Sequence, residues 1–195
     1  MKIMKKYVSI FALALVMGLG FSSCSPETDE PAGGTKVEKM AGHWMVDIDA
    51  VDDDGNPIPG GAHYFGYDEA RIPLFTYNTA DNSDTKMWID DNGWFDLSWY
   101  YGNPAYPNYS FKNLVNVDLN NLTFTSDDAE NLSGAYGITI EGGKILMGAA
   151  HYNNGTPADS IVFYVKYTDD PWYPDDGYAK YKVSGIRYSG FPGNI

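Results

Sequence analysis

Hydrophobic and polar residues alternate along most of the chain after residue 43. The first such run places Trp44, Val46, Ile48 and Ala50 on one face and polar residues on the other. Alternation with a period of two is typical of half-buried antiparallel strands, because successive side chains of a strand point to opposite faces. The same period recurs in the segments 95–99, 111–119, 136–140, 161–167 and 179–183. The pattern therefore predicts an all-β fold.

Pairs of glycine, asparagine and aspartate separate these runs, and such pairs favour the positive φ of tight hairpin turns. They are Asp54-Gly55, Asn92-Gly93, Asn120-Asn121, Gly142-Gly143, Asn154-Gly155 and Asp176-Gly177. After the first 23 residues, no stretch of a dozen residues shows a helical period. Consecutive hairpins without helices favour an antiparallel up-and-down barrel of about eight strands, because closure removes exposed sheet edges. A two-sheet sandwich is the alternative.

The N-terminal segment has the pattern of a signal peptide. Three lysines precede an apolar run over 7–21, which is short for a transmembrane span, and Ser22-Ser23 leads to Cys24. This single cysteine resembles the lipobox cysteine of bacterial lipoproteins, with Phe21 where leucine is commonest. The resemblance implies that residues 1–23 are removed and that acyl chains on Cys24 hold the protein at a membrane. An ordinary secretory peptide with an incidental cysteine is the alternative.

The residues that follow Cys24 are polar and contain proline and glycine, which predicts a flexible tether over 24–40. The barrel domain is then expected over 41–195. Glu27, Asp29 and Glu30 resemble the acidic export signal of Bacteroidetes surface lipoproteins, which export machinery reads as an address. This resemblance implies an outer-membrane lipoprotein exposed on the cell surface, whereas a plain polar tether is the alternative.

The chain is strongly acidic, with 13 Lys and Arg against 26 Asp and Glu. Loss of residues 1–23 would remove three lysines and no acid, which changes the formal charge from −13 to −16. Such a charge argues against nucleic acid as a partner, since phosphate binding needs a basic surface. A lone cysteine also permits no intramolecular disulfide, so the fold depends on its hydrophobic core. The sequence does not indicate an oligomeric state.

The first strand opens with Gly42-His43-Trp44, which resembles the Gly-x-Trp motif of lipocalins and other calycin barrels. In those barrels the tryptophan closes the base and an arginine of the last strand packs across its ring, which implies that role for Trp44 and Arg187. With three further segments, 52–57, 75–80 and 86–91, the chain is similar to a family of Bacteroidetes lipoproteins described as lipocalin-like, lipid-binding putative hydrolases. The resemblance implies an eight-stranded barrel with a ligand cavity, and it assigns no catalytic residue.

Three functions remain open from the sequence. The first is binding of a small apolar or amphipathic ligand inside the barrel, with cavity residues Phe75, Tyr77, Trp88, Trp99, Tyr101 and Phe163. The second is a surface module that binds glycans through the aromatic residues Tyr106, Tyr109, Trp172 and Tyr173. The third is a hydrolase, which only the family resemblance suggests. A purely structural role in the envelope would require none of these sites.

Motifs for metals, cofactors and nucleophilic catalysis are weak. The acidic run 52–56 fits a solvated hairpin turn, and the three histidines lack the spacing of a zinc site. Four carboxylates at 169, 170, 175 and 176 are a candidate for weak calcium binding, which is the less favoured interpretation. The chain contains no Gly-x-Ser-x-Gly elbow. We therefore expect no metal and no cofactor.

Overall fold

The structure, a computed structural model, describes residues 34–61, 63–64, 71–170, 172–173, 178–191 and 193. The predicted signal peptide, Cys24 and the first part of the predicted tether lie outside the described residues. The described residues form nine strands and one short helix. The strands are β1 (Gly42–Val51), β2 (His63–Tyr64), β3 (Ile72–Asn78), β4 (Lys86–Asp90), β5 (Lys112–Asp118), β6 (Thr123–Ala129), β7 (Ile138–His151), β8 (Pro157–Tyr167) and β9 (Lys180–Arg187), and the helix is α1 (Leu97–Tyr100).

The strands close into a barrel through the pairing of the first and last long strands. From β3 to β9 each strand pairs antiparallel with the next, and β3 also pairs with β1. Strand β9 pairs with β1 from Trp44 opposite Arg187 to Val51 opposite Lys180. The two-residue β2 adds to β1 at Ile48 and Asp49. The predicted eight-stranded antiparallel barrel, made of β1 and β3–β9, is therefore confirmed, and the sandwich alternative is wrong.

Side chains fill the interior of the barrel. One face of each long strand points inward, and the aromatic rings of Phe111 and Phe124 lie 6.1 and 5.6 Å from the ring of Phe163. All three phenylalanines are buried. Burial of side chains this large stabilises a fold by about 1.5–3 kcal/mol each. The barrel is thus held together by a packed core rather than by cross-links.

The base of the barrel begins earlier in the chain than the sequence pattern suggests. Val37 and Met40 fall in the predicted tether, yet both are completely buried in the core. A turn holds them there, in which the amides of Met40 and Ala41 donate to the carbonyl of Val37 at 2.8 Å. The folded domain therefore begins at Thr35 rather than Ala41. Two apolar residues in a polar segment were too weak a signal to predict this.

Trp44 and Arg187 meet at this base. The guanidinium carbon of Arg187 lies 4.3 Å from the centroid of the Trp44 ring, which is the contact that the lipocalin resemblance implies. The same guanidinium donates to the carbonyl of Ala41 at 2.6 Å and to the carboxylate of Asp159 at 3.0 Å. A Cβ atom at residue 42 would overlap this guanidinium, which explains the glycine of the Gly-x-Trp motif.

We expect Arg187→Lys to lower the free energy of unfolding by about 1–2 kcal/mol, because lysine loses the planar stack on Trp44 and the forked hydrogen bonds. Chemical denaturation followed by tryptophan fluorescence would measure this change. Arg71→Lys is the matched control, since the contact of Arg71 among the described residues is a partly exposed ion pair with Asp47 at 3.3 Å. Equal stability of the two variants would contradict a structural role for the stack.

Two local predictions differ from the structure. The segment 95–99, predicted as a strand, overlaps α1, because the Asp96 side chain accepts hydrogen bonds from the amides of Ser98 and Trp99 and caps a helical turn. Gly142-Gly143, predicted as a turn, lies inside β7 at a shift of register between Glu141 and Lys144. Among the described residues, no helix has the length and apolar character needed to cross a bilayer.

Candidate functional site

Long connections gather at one end of the barrel, which we call the loop end. Because the strands alternate in direction, the connections 52–71, 91–111, 130–137 and 168–179 share this end. The opposite end carries the Trp44–Arg187 contact and the shorter connections 79–85, 119–122 and 152–156. Binding residues are concentrated in loops that a rigid scaffold positions. The loop end is therefore the candidate location of the functional site.

The connection 91–111 folds back over the loop end, and Asp91 fixes it there. The buried Asp91 carboxylate accepts hydrogen bonds from the amides of Phe95 at 2.8 Å, Phe111 at 3.0 Å and Gly93 at 3.2 Å. Burial raises the pKa of Asp91 to about 6, although these three amides act in the opposite direction. A single carboxylate thus joins the start and the end of the connection.

A cluster of buried and half-buried aromatic rings lies beneath this connection. Its members are Phe95, Tyr109, Tyr136, Tyr167 and Tyr181, with Tyr109 4.8 Å from Tyr167 and 5.6 Å from Tyr181 between ring centroids. The Tyr109 hydroxyl donates to Asp170 at 2.8 Å, and the Tyr167 hydroxyl donates to the Tyr109 carbonyl. Burial raises the pKa of Tyr181 to about 12, so this hydroxyl is uncharged at neutral pH. The cluster closes the loop end from the inside.

A set of exposed and half-buried rings lies on the outside of the same end. We call it the aromatic patch, and it consists of Trp94, Trp99, Tyr100, Tyr101, Tyr106, Trp172 and Tyr173. Trp99 is 65% exposed and Tyr101 is 53% exposed. The rings of Tyr101 and Tyr106 stack at 4.5 Å, and Tyr106 lies 5.5 Å from Trp172 on the connection 168–179. Exposed apolar residues in contiguous patches mark interaction sites rather than ordinary surface.

Two depressions open beside these rings. The first, of about 370 Å³, is lined by Asn92, Gly93, Trp94, Asp96 and Trp99. The second, of about 350 Å³, is more acidic and is lined by Asp53, Lys166, Tyr167, Asp169, Asp170, Tyr173, Tyr178 and Ala179. Both are small by the standard of ligand sites, which measure about 300–1,000 Å³. They suit a headgroup or a short chain rather than a whole diacyl lipid.

The structure does not place Phe75, Tyr77 and Trp88 inside the barrel, so that prediction is wrong. Their side chains lie on the outer wall, because Leu74, Thr76, Met87 and Ile89 occupy the inward positions of β3 and β4. On the outer wall, Phe75 stacks on His43 at 4.5 Å. The Tyr77 hydroxyl donates to Asp90 at 2.9 Å, and the Lys112 ammonium lies 5.9 Å from the Trp88 ring.

The other predicted cavity residues separate into two groups. Phe163 points into the barrel but is packed between Phe111 and Phe124. Trp99 and Tyr101 lie in the exposed aromatic patch, so their predicted interior position is wrong. The six residues are therefore not brought together around one cavity.

The predicted glycan-binding residues are also separated. Tyr106, Trp172 and Tyr173 belong to the aromatic patch, whereas Tyr109 is buried and cannot stack on an external sugar. The sequence prediction missed Trp94 and Tyr100 as exposed residues and Asp91 as the group that fixes their connection. The crowding of aromatic residues over 94–109, interrupted by Gly102-Asn103-Pro104, was the signal that could have located them.

The candidate calcium-binding carboxylates are only partly described. Asp170 accepts hydrogen bonds from Tyr109 and from the amide of Trp172 at 2.9 Å, so both of its oxygens have partners. Asp175 and Asp176 lie outside the described residues. Within the part of the chain that the structure describes, no group of three or more His, Cys, Asp or Glu could hold a metal.

Comparison with known proteins supplies the family. No curated protein sequence matches the chain. A family model described as "lipid-binding putative hydrolase" matches residues 29–192, which include every strand of the barrel, the connection 91–111 and the aromatic patch. Since this match extends over most of the sequence, the chain belongs to the lipid-binding putative hydrolase family.

Proposed function

We propose that the protein is a lipid-anchored, extracytoplasmic protein that binds a small apolar or amphipathic, lipid-like ligand at the loop end of its barrel. Membership of a lipid-binding family and the closed barrel support lipid binding. The pattern that ends at Cys24 supports attachment through acyl chains, and the acidic residues after it support exposure on the outer membrane. No residue is assigned a catalytic role in this proposal.

The aromatic patch is the observation that carries the proposal. The barrel interior is filled by side chains such as Phe163, whereas Trp99, Tyr101 and Tyr173 leave more than half of their surface in contact with water. Covering such rings with an acyl chain gains about 25 cal/mol for each Å² of apolar surface removed from water, before ordering costs. Tryptophan and tyrosine also combine an apolar ring with a polar group, which suits an amphipathic ligand.

We expect Trp99→Ala to weaken binding of a dodecyl amphiphile by about tenfold, because the variant removes the most exposed indole of the patch. The probes are dodecylphosphocholine and dodecyl maltoside below their micelle concentrations, which share one chain and differ in headgroup. Isothermal titration calorimetry on the full chain carrying Cys24→Ala, which has no acyl chain of its own, would measure the affinity.

Met147→Ala is the matched control, since Met147 is 54% exposed and lies on β7, outside the aromatic patch. It should leave both affinities within about twofold of the parent, as a surface change away from the site would. Failure of both amphiphiles to bind the parent chain would reject the proposed lipid site. Binding to a glycan array that Trp172→Ala abolishes would support the glycan-binding function instead.

A further inference from the structure

The depression between Trp94 and Trp99 has the shape of a corner. The two indole centroids lie 6.4 Å apart, and the ring planes meet at 77°. Gly93 lines the same depression, and a Cβ atom added there would have no neighbour within 4 Å, so the space beside it is open. At this separation the two indoles are in edge-to-face contact, and the depression opens beside the pair. The nearly perpendicular rings and the open floor can contact a compact group from more than one side.

Hydrogen bonds to Asp91 and Asp96 fix the backbone around both tryptophans. The amide of Trp94 donates to the Asp91 carbonyl at 3.2 Å, while the Asp91 side chain accepts from the residues on either side of Trp94. Trp99 is the third residue of α1, where the amides of Ser98 and Trp99 donate to Asp96 Oδ1 at 2.9 and 3.2 Å. Preorganisation of this kind lowers the entropy cost of binding.

The charge of the depression is negative. Among its described lining residues, Asp96 is the charged one, and its Oδ1 atom makes the capping hydrogen bonds. The hydrogen bonds of the Asp96 side chain to other described residues are all accepted by Oδ1. The whole chain also carries a formal charge of −13. A phosphate or carboxylate group would be repelled here, whereas a cation would be attracted by the carboxylate and by the indole faces.

We propose that the depression between Trp94 and Trp99 binds the cationic end of the ligand's headgroup, an alkylated ammonium group such as that of choline. The inference rests on the proposed function, because it names the headgroup class of the lipid. Two indole faces and a carboxylate are the groups that recognise quaternary ammonium ions in proteins. A volume of about 370 Å³ accommodates the headgroup and leaves the acyl chain to the rest of the aromatic patch.

The test compares choline with 3,3-dimethyl-1-butanol, which has the same shape without the charge. Both are titrated into the full chain carrying Cys24→Ala, and the indole N–H signals are followed by ¹H–¹⁵N NMR. We expect choline to bind with a dissociation constant of roughly 1 mM and the neutral alcohol to bind at least about fivefold more weakly. Equal affinity for the two compounds would reject the cation site, and so would binding of methyl glucoside in place of choline.

Substitutions distinguish the contribution of the Asp96 charge to choline binding from that of the aromatic rings. Asp96→Asn keeps an oxygen that can cap α1 and removes the negative charge, so choline affinity should fall by about three- to tenfold while affinity for the alcohol stays the same. Met147→Ala is the control, because Met147 is exposed on β7 and lies outside both the aromatic patch and this depression. It should leave choline binding unchanged, and a loss equal to that of Asp96→Asn would overturn the assignment.

The dodecyl amphiphiles distinguish failure of this inference from failure of the proposed function. If dodecylphosphocholine and dodecyl maltoside bind equally and choline does not bind, the loop end takes lipids and the cation site is wrong. If choline binds with the expected dependence on Asp96 but neither amphiphile binds, the cation site is correct and the lipid-binding proposal is wrong.

Discussion

Replacing Gly185 by alanine is expected to destabilise the barrel by about 3 kcal/mol, the upper end of the range for overpacked interiors. Gly185 lies in β9 opposite Val46 in β1. An added Cβ atom would overlap the Met45 carbonyl oxygen and lie 2.6 Å from the Val46 Cα. Backbone atoms cannot rotate away as a side chain can, so β1 and β9 would have to separate. These are the two strands whose pairing closes the barrel.

Gly193→Ala supplies the comparison, since a Cβ atom at Gly193 would have no neighbour within 4 Å. This variant should stay within about 0.5 kcal/mol of the parent, as surface substitutions generally do. Urea denaturation followed by tryptophan fluorescence would give both free energies of unfolding. If the Gly185 variant were as stable as the Gly193 variant, the close approach of β1 and β9 would be refuted.

Five of the eight barrel strands, β1, β5, β7, β8 and β9, could be predicted from local alternation, whereas β3, β4 and β6 were not among the alternating segments. Alternation such as that of Trp44, Val46 and Ile48 identifies a half-buried strand without knowledge of its partners. Closure of the barrel could not be deduced from alternation, since β1 and β9 are far apart in sequence. It was predicted instead from the run of hairpins, since closure removes exposed sheet edges, and the Gly-x-Trp resemblance implied it as well. The overlap between a residue-42 side chain and Arg187 explains the glycine of that motif.

Alternation alone did not show which face of a strand points inward. In β3, Phe75 and Tyr77 look like core residues beside Thr76, yet Thr76 is the buried one. Its hydroxyl accepts a hydrogen bond from the Trp44 indole at 2.8 Å and donates to the Met40 carbonyl at 2.6 Å. A buried hydroxyl with both bonds made carries little penalty. Phe75 and Tyr77 were therefore predicted as core residues in error, because hydrophobicity alone takes no account of the hydrogen bonds that satisfy the buried Thr76 hydroxyl.

The candidate site was the least predictable part, because one long-range set of hydrogen bonds positions it. Asp91 reaches Phe111, 20 residues further along the chain, and this contact folds the connection 91–111 over the barrel. No periodic pattern encodes such a contact. As a result Trp99, which was predicted to point into the barrel, lies on a surface turn beside Trp94.

Asp91→Asn tests this arrangement, and the loss of stability that it causes should depend strongly on pH. Asparagine keeps one accepting oxygen but places an N–H₂ group against the Phe95 amide, which leaves a buried donor without an acceptor. Destabilisation is therefore expected at every pH. Because burial raises the pKa of Asp91 to about 6 in the folded protein, its ionisation opposes folding, and the stability that the protonated group provides is lost as pH rises from about 4 to about 6.

The variant has no such titration, so its deficit relative to the parent should be about 2 kcal/mol larger at pH 4 than at pH 7. Denaturation of both proteins at the two pH values would measure the change. Asp52→Asn is the control, and its stability deficit should change with pH in the opposite direction, because hydrogen bonds from Asn56 lower the pKa of the exposed Asp52. A deficit of the Asp91 variant that is larger at pH 7 would show that the three backbone amides outweigh burial. In that case Asp91 would be a charged anchor of the loop end.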